Sequence, residues 1–310
     1  MPTPTTARAQ AFVASHRPSA AALGDRLAGQ VADPERFERT LTRGFRGLAD
    51  PAYAAAQPTI VPGSALLLGV RWPLVSTVAR RVDRALAGLS PAIAVYLAER
   101  LAQADLLEVR LFSHVALRRS LAGDPERSWQ VIRRLARRAA DWVSVDSLAD
   151  LTARGILLEP YRWAELEQLV YSPHRWERRL VGSTVAELPF RVPTDERANR
   201  LRTTPALALI ATMIGEADPD VRKALSWALR SWRTVDPAGV ADLLRREAMV
   251  SVDTMDGNRA WVVRDALTGA GADEALAGDL RPMLAAAHLR TDRRRDTSRA
   301  HEVAHAFGAA

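Results

Sequence analysis

Apolar residues recur every three or four positions through most of the chain. The spacing is clear in Ile93, Tyr96, Leu97 and Leu101, and no stretch alternates apolar and polar residues with a period of two. Such spacing places the apolar side chains on one face of a helix. The pattern therefore predicts an all-α fold.

The predicted helices have recognisable first residues. Three sites, Asp124-Pro125, Ser172-Pro173 and Asp218-Pro219, each place a capping side chain before a proline at the first helical position. Turn residues then separate short helical segments. Short helices joined by short turns predict stacked helical hairpins.

A weak internal repeat supports the hairpin interpretation. The segments SPHRWERRLVGSTVAEL and ADPDVRKALSWALRSW share a capped proline, a basic pair and an apolar face, and they place Arg179 and Lys223 44 positions apart. Arg110 holds an equivalent position upstream. A period of about 35 to 45 residues with two helices per unit is typical of HEAT-like or armadillo-like solenoids. We expect the second helices of such hairpins to line a concave basic surface.

Composition narrows the chemistry. The chain has 310 residues and a net charge of +7, and Lys223 is its single lysine. This excess of arginine permits a polyanionic partner, but a GC-rich genome would produce it as well. The absence of cysteine excludes disulfides, a thiol nucleophile and thiolate metal sites. The N-terminus lacks a signal-peptide pattern and no apolar run approaches the length of a membrane span, so we expect a cytoplasmic protein.

One motif fits a zinc site. His301, Glu302 and His305 match H-E-x-x-H, in which two histidines one helical turn apart share a zinc ion. Such a site needs a third ligand, normally downstream, and little of the chain follows His305. We therefore expect no metal and no cofactor.

The tryptophans offer a different candidate site. Trp142 and Asp146 are four positions apart and Trp227 and Arg230 are three apart, so each pair shares a helical face. A carboxylate beside indoles and guanidiniums is unusual for a packing surface. The residues alone leave an alternative open, in which the tryptophans fill the core and Asp146 is a cap or an ion-pair partner.

Several segments together resemble the AlkD-like DNA alkylation repair family, which consists of HEAT-like-repeat DNA glycosylases. The matching segments are LLLGVRWPLV, LLEVRLFSHVAL, ADWVSVDSLADL, SPHRWERRLVGS and DPDVRKALSWALRSW. They occur in the family's order, and the resemblance as a whole covers roughly residues 55–265. The resemblance implies a right-handed solenoid of HEAT-like helical hairpins with a concave basic face. It also implies a monomeric, nucleoid-associated enzyme that excises N3- or N7-alkylated purines from duplex DNA.

The resemblance assigns roles to individual residues. Asp146 stands where the family keeps its essential carboxylate, and Trp142 and Trp227 stand where two tryptophans flank it. The expected DNA contacts from the resemblance are Arg71, Trp72, Arg179 and Arg230. The basic pair and the repeat spacing add Arg110, Arg178 and Lys223.

Three segments are expected from these observations. Residues 1–45 form an N-terminal helical extension, residues 46–290 form the repeat domain, and residues 291–310 form a charged C-terminal tail. The alternative function is a HEAT-type scaffold that binds DNA or protein without catalysis. Both small methyl lesions and bulky natural-product lesions suit an open cleft, so the sequence leaves the preferred adduct open.

Overall fold

The fold is built from α-helices. A computed structural model describes residues 4–60, 66–201, 205–289 and 295–308, and no β-strand occurs within these ranges. Ala49 and Val70 form one isolated antiparallel bridge. None of the described helices combines the length and apolar composition that crossing a membrane requires. The all-α prediction is confirmed.

The chain divides into two compact units, Met1–Leu151 and Thr152–Ala310. In the first unit, α1, α4 and α7 pack side by side, and α2, α5 and α8 form a second layer against them. Helix α9 begins in this unit and crosses the boundary. The helices are α1 (Pro4–Ala28), α2 (Pro34–Leu48), α3 (Pro51–Ile60), α4 (Trp72–Leu86), α5 (Pro91–Leu101), α6 (Leu107–Arg110), α7 (Phe112–Ser120), α8 (Pro125–Arg138) and α9 (Trp142–Leu158).

An aromatic cluster anchors the first unit. Helix α2 buries Phe37, Leu41 and Phe45 because their spacing of four places them on one face. The Phe112 ring of α7 lies 6.5 Å from the Phe37 ring and 5.5 Å from the Phe45 ring, measured between centroids. These edge and tilted contacts join the two layers.

The second unit repeats the layered arrangement. Helices α11, α14 and α16 pack side by side, and α13, α15 and α17 form the other layer. Short 3-10 helices occur at Pro160–Arg162, Leu169–Tyr171 and Leu188–Arg191. The helices are α10 (Trp163–Gln168), α11 (Arg175–Glu187), α12 (Arg197–Leu201), α13 (Ala206–Met213), α14 (Pro219–Trp232), α15 (Pro237–Thr254), α16 (Gly257–Ala266), α17 (Glu274–Leu289) and α18 (Arg299–Gly308).

Two of the three predicted helix starts are confirmed. Asp124 accepts a hydrogen bond from the Arg127 amide at the start of α8, and Asp218 accepts from two amides at the start of α14. The third prediction is wrong, because α11 begins at Arg175 rather than at Pro173. The Ser172 hydroxyl donates to Glu177 instead and accepts from the His174 amide, so it closes a turn before the helix.

The segments expected at the two ends belong to these layers. Within the expected N-terminal extension, α1 packs on α4 and α2 packs on α5. Within the expected charged tail, α18 packs against α13 and the Leu169–Tyr171 turn. The right-handed superhelix, its concave basic face and the boundary at residue 45 stay predictions. The boundary at residue 290 lies outside the described residues.

Candidate nucleic-acid interface

The start of α9 positions the predicted catalytic carboxylate. Asp141 is fully buried, and it accepts hydrogen bonds from the Ser144 amide at 2.8 Å and the Ser144 hydroxyl at 3.0 Å. This cap sets the first residue of the helix. Trp142 and Asp146, one turn apart, are both half-buried. Asp141 therefore stabilises the fold, whereas Asp146 is half-buried and lies one helical turn from Trp142.

Arg110 lies beside this cap. Its Nη2 atom is 3.8 Å from Oδ2 of Asp141, and its side chain is 22% exposed. Together with His114, Arg138 and Ser144 it lines a cavity of about 460 Å³. The predicted role of Arg110 as a DNA contact stays a prediction.

His114 forms part of the cavity wall. Its Nδ1 atom is buried and has no hydrogen-bond partner among the residues that the structure describes. Burial, with a smaller contribution from the positive charge of Arg110, lowers the pKa of His114 to about 4. The ring is therefore neutral at physiological pH.

A buried glutamate holds the turn that contains the Gly-Val-Arg-Trp-Pro segment. The carboxylate of Glu108 accepts hydrogen bonds from the amides of Leu68 at 3.0 Å, Gly69 at 2.7 Å and Val70 at 3.2 Å. Gly69 has φ +82°, and a Cβ atom at this position would lie 2.6 to 2.8 Å from atoms of Ala54. Sequence reasoning missed Glu108, although a lone acid in the apolar run LLEVRLF was an available signal.

Arg71 and Trp72 occupy this turn in different ways. The Nε atom of Arg71 donates to Oδ2 of Asp50 at 2.7 Å, and the guanidinium lies 4.9 Å from the centroid of the Tyr53 ring. Burial opposes ionisation of Asp50, but Arg71 and two backbone amides outweigh it, so the pKa of Asp50 is lowered. Trp72 is 61% exposed. Arg71 thus ties the turn to α3, while Trp72 presents its indole to solvent.

Arg178 lies in a bidentate ion pair in the second unit. It donates to Glu216 through Nε at 2.7 Å and Nη2 at 3.3 Å, and to the Ser172 carbonyl through Nη1 at 2.8 Å. Burial raises the pKa of Glu216 despite this donor, and Asp296 contributes in the same direction. Arg178 therefore stabilises the fold through this pair, and its predicted DNA contact stays a prediction.

Arg179 and Lys223 share a repeat position but differ in environment. Arg179 is 5% exposed, and its Nη1 atom donates to the Asp220 carbonyl at 2.5 Å. Lys223 is 60% exposed, with Nζ 3.6 Å from Oδ1 of Asp220. The two cations approach the same residue at the start of α14, one from the interior and one from the surface.

Helix α14 carries a cationic and aromatic face. Asp220, Lys223, Trp227 and Arg230 follow one another at intervals of three or four, and each is half-buried or exposed. Arg230 pairs with the carboxylate of Asp265 and also donates to the Asp265 carbonyl at 3.1 Å. Trp227 therefore lies between two cations on one face.

The H-E-x-x-H segment lies in α18. The rings of His301 and His305 are 6.2 Å apart between centroids. Across the described ranges, no group of three histidine, aspartate or glutamate side chains is placed to hold a metal ion.

The layered helices of each unit define an all-α protein, and the cationic and aromatic face of α14 suits a polyanionic partner. The family model described as DNA alkylation repair enzyme matches residues 41–268, and the chain belongs to this family of DNA repair enzymes. A comparison with curated proteins gave no match. The matched range contains every predicted site residue, from Arg71 to Arg230.

Proposed function

We propose that the protein is a DNA glycosylase of base excision repair. Its substrate is duplex DNA that carries a purine alkylated at N3 or N7, and its reaction is hydrolysis of the N-glycosidic bond. The observation that carries this proposal is the pair Trp142 and Asp146 at the start of α9. Asp141 before them is the buried cap of the helix, whereas Asp146 is half-buried and lies one turn beyond Trp142 on the same helix.

The chemistry requires one carboxylate rather than two. An alkylated purine carries a positive charge, so it leaves with the electrons of the C1′–N bond without being protonated. A water molecule forms the new C1′–O bond and loses a proton. The Asp146 carboxylate stabilises the oxocarbenium-like sugar and orients the water. The products are the free base and an abasic site.

The tryptophans and basic residues bind the substrate. Indole faces are rich in electrons, so Trp142 and Trp227 attract a cationic lesion by about 0.5 to 2 kcal/mol per contact. Lys223 and Arg230 contact phosphates on either side of Trp227. The family resemblance implies that the damaged nucleotide stays stacked while the sugar reacts, in contrast to enzymes that flip the base into a pocket. No pocket has to enclose the adduct, so bulky lesions are tolerated.

The proposal is tested by measuring base release from three duplexes. They contain 7-methylguanine, 3-methyladenine or one bulky N3-alkyladenine, and the reactions include a metal chelator. The expected products are the free base and an abasic site in an otherwise intact strand. Binding of all three duplexes without release of any base would contradict the proposal and indicate a non-catalytic scaffold.

A further inference from the structure

Three arginines converge on the end of α16. Arg230 comes from α14, Arg233 is the residue directly after that helix and Arg281 comes from α17, and each donates to a main-chain carbonyl there. Arg230 donates to the Asp265 carbonyl at 3.1 Å, and Arg233 donates to the Thr268 carbonyl at 2.9 Å. Arg281 donates to the Leu267 carbonyl at 2.9 Å. Carbonyl groups at a helix C-terminus carry the negative end of the helix dipole, so they attract cations.

The main-chain contacts orient the guanidiniums and leave donors available. A guanidinium has five N–H donors. Among the described residues, Arg281 uses one of its donors and Arg233 uses two, the second on the Arg230 carbonyl at 3.4 Å. The turn that follows is exposed, and Gly269 and Gly271 adopt positive φ values of 85° and 72°. The three arginines therefore lie near an exposed turn, and the two glycines of this turn have no side chains that would block access.

The charges in this cluster are not balanced. Asp265 pairs with Arg230, whereas neither Arg233 nor Arg281 forms an ion pair within the part of the chain that the structure describes. Burial and the charge of Arg230 lower the pKa of Arg233. An anion placed between these guanidiniums would reduce their mutual repulsion. Its hydrogen bonds would also compensate for the water that the guanidiniums have lost through burial.

We propose that Arg230, Arg233 and Arg281, here called the α16 arginine cluster, bind a phosphate of the DNA backbone. The proposal rests on the proposed function, because that function supplies duplex DNA as the partner. Arg233 directly follows the end of α14, six residues beyond Trp227 and about 9 Å along the helix axis. A strand in contact with Trp227 can therefore reach the cluster. Arg281 lies outside the matched range 41–268, so the family match does not carry this assignment.

The test compares salt dependence of binding to an undamaged duplex. The double variant Arg233→Ala/Arg281→Ala is measured by fluorescence anisotropy from about 50 to 200 mM salt. Loss of one phosphate contact lowers the slope of log Kd against log salt by about 0.9. We expect this change, together with weaker binding by about fivefold to twentyfold at the lowest salt.

A matched control removes the same charge elsewhere in the same unit. Arg200 and Arg245 are exposed and form ion pairs with Glu196 and Asp242, which lie four and three positions earlier in the chain. The variant Arg200→Ala/Arg245→Ala should keep the slope of the unmodified protein. Arg281→Glu serves as a second variant, because the exposed side chain can be reversed in charge without opening the core. It should weaken binding at least as much as the double variant.

The outcomes separate this proposal from the proposed function. Equal slopes for the cluster variant and the matched control would overturn the phosphate site, even if base release continues. The protein could also release no base while the cluster variant shows a lower slope of log Kd against log salt. That result would support the phosphate site and contradict only the glycosylase proposal.

Discussion

Arginines in this protein fall into two groups that composition cannot separate. Arg71 and Arg178 lie against the buried carboxylates Asp50 and Glu216. Removing one partner of a buried pair costs about 3 to 5 kcal/mol, because the other charge remains buried. Arg233 and Arg281 instead reach carbonyl groups near an exposed turn. The first group stabilises the fold, and the second forms part of the proposed phosphate site.

Sequence spacing could place residues on a repeat but could not predict their burial. Arg179 and Lys223 are 44 positions apart as the repeat requires, yet one is interior and the other is exposed. The helix that packs against each residue determines whether its side chain is buried. A repeat pattern within one segment does not reveal which helix packs against it. Glu108 was missed for the same reason, since its three amide partners lie about 40 positions away.

The pKa of His114 predicts a loss of stability in acid. Its value is about 4 in the folded protein against 6.5 for an ordinary histidine. The unfolded chain therefore binds a proton that the folded chain does not. The neutral ring therefore contributes to the free energy of unfolding above pH 6.5, and this contribution is lost as the pH falls towards 4. The expected loss in the free energy of unfolding is up to about 3 kcal/mol.

Urea denaturation at about pH 7.5 and about pH 4.5 measures this effect. Carboxylates also titrate in this range, so the informative quantity is the difference between the unmodified protein and His114→Gln. That variant should lose less stability on acidification. The exposed His174 gives a matched control, and His174→Gln should behave like the unmodified protein. Equal acid sensitivity of His114→Gln and His174→Gln would contradict the assignment.

At the scale of elements, the sequence predicted the first residue of a helix correctly where the capping side chain bonds to the amides of that helix. Asp124 and Asp218 cap the helices that they precede. Ser172 precedes a proline in the same way, but its hydroxyl donates to Glu177, so α11 begins later. A side chain with two possible local partners cannot be assigned from a cap pattern alone.

The contact between α11 and α14 depends on a glycine. A Cβ atom at Gly182 would lie 2.9 Å from the Ala224 carbonyl carbon and Cβ atom. Gly182→Ala should therefore lower the free energy of unfolding by about 1 to 2 kcal/mol, because overpacking outweighs the gain in helix propensity. Gly278 provides the matched control, since a Cβ atom there meets nothing within 4 Å. Gly278→Ala should stabilise the protein by about 0.5 to 1 kcal/mol.

Chemical denaturation of both variants checks this prediction. Opposite signs for the two glycines are expected. A stabilising effect of Gly182→Ala equal to that of Gly278→Ala would show that the two helices do not need this close approach.

At the scale of the whole molecule, helical periodicity was enough to predict the fold class, because it is a property of each segment alone. The candidate site was different. Trp142 and Asp146 come from α9 and Trp227 comes from α14, and the residues alone left a packing role open for them. The ordered segments that resemble the repair family supplied the assignment, and the match over residues 41–268 confirms the family.

The central claim is that Asp146 carries the hydrolysis of the glycosidic bond. Asp146→Asn keeps the shape of the side chain but removes its charge, so it should lower single-turnover release of 7-methylguanine at least about 100-fold. Binding of the same duplex should change by less than about twofold, because phosphate contacts dominate affinity.

Asp150 is the matched control, since it lies one turn further along α9 and is also half-buried. Asp150→Asn should retain most of the activity. The decisive measurement is thus the single-turnover rate of 7-methylguanine release by Asp146→Asn. A large loss of rate with intact binding is the predicted result, and release at the rate of the unmodified protein would contradict the account.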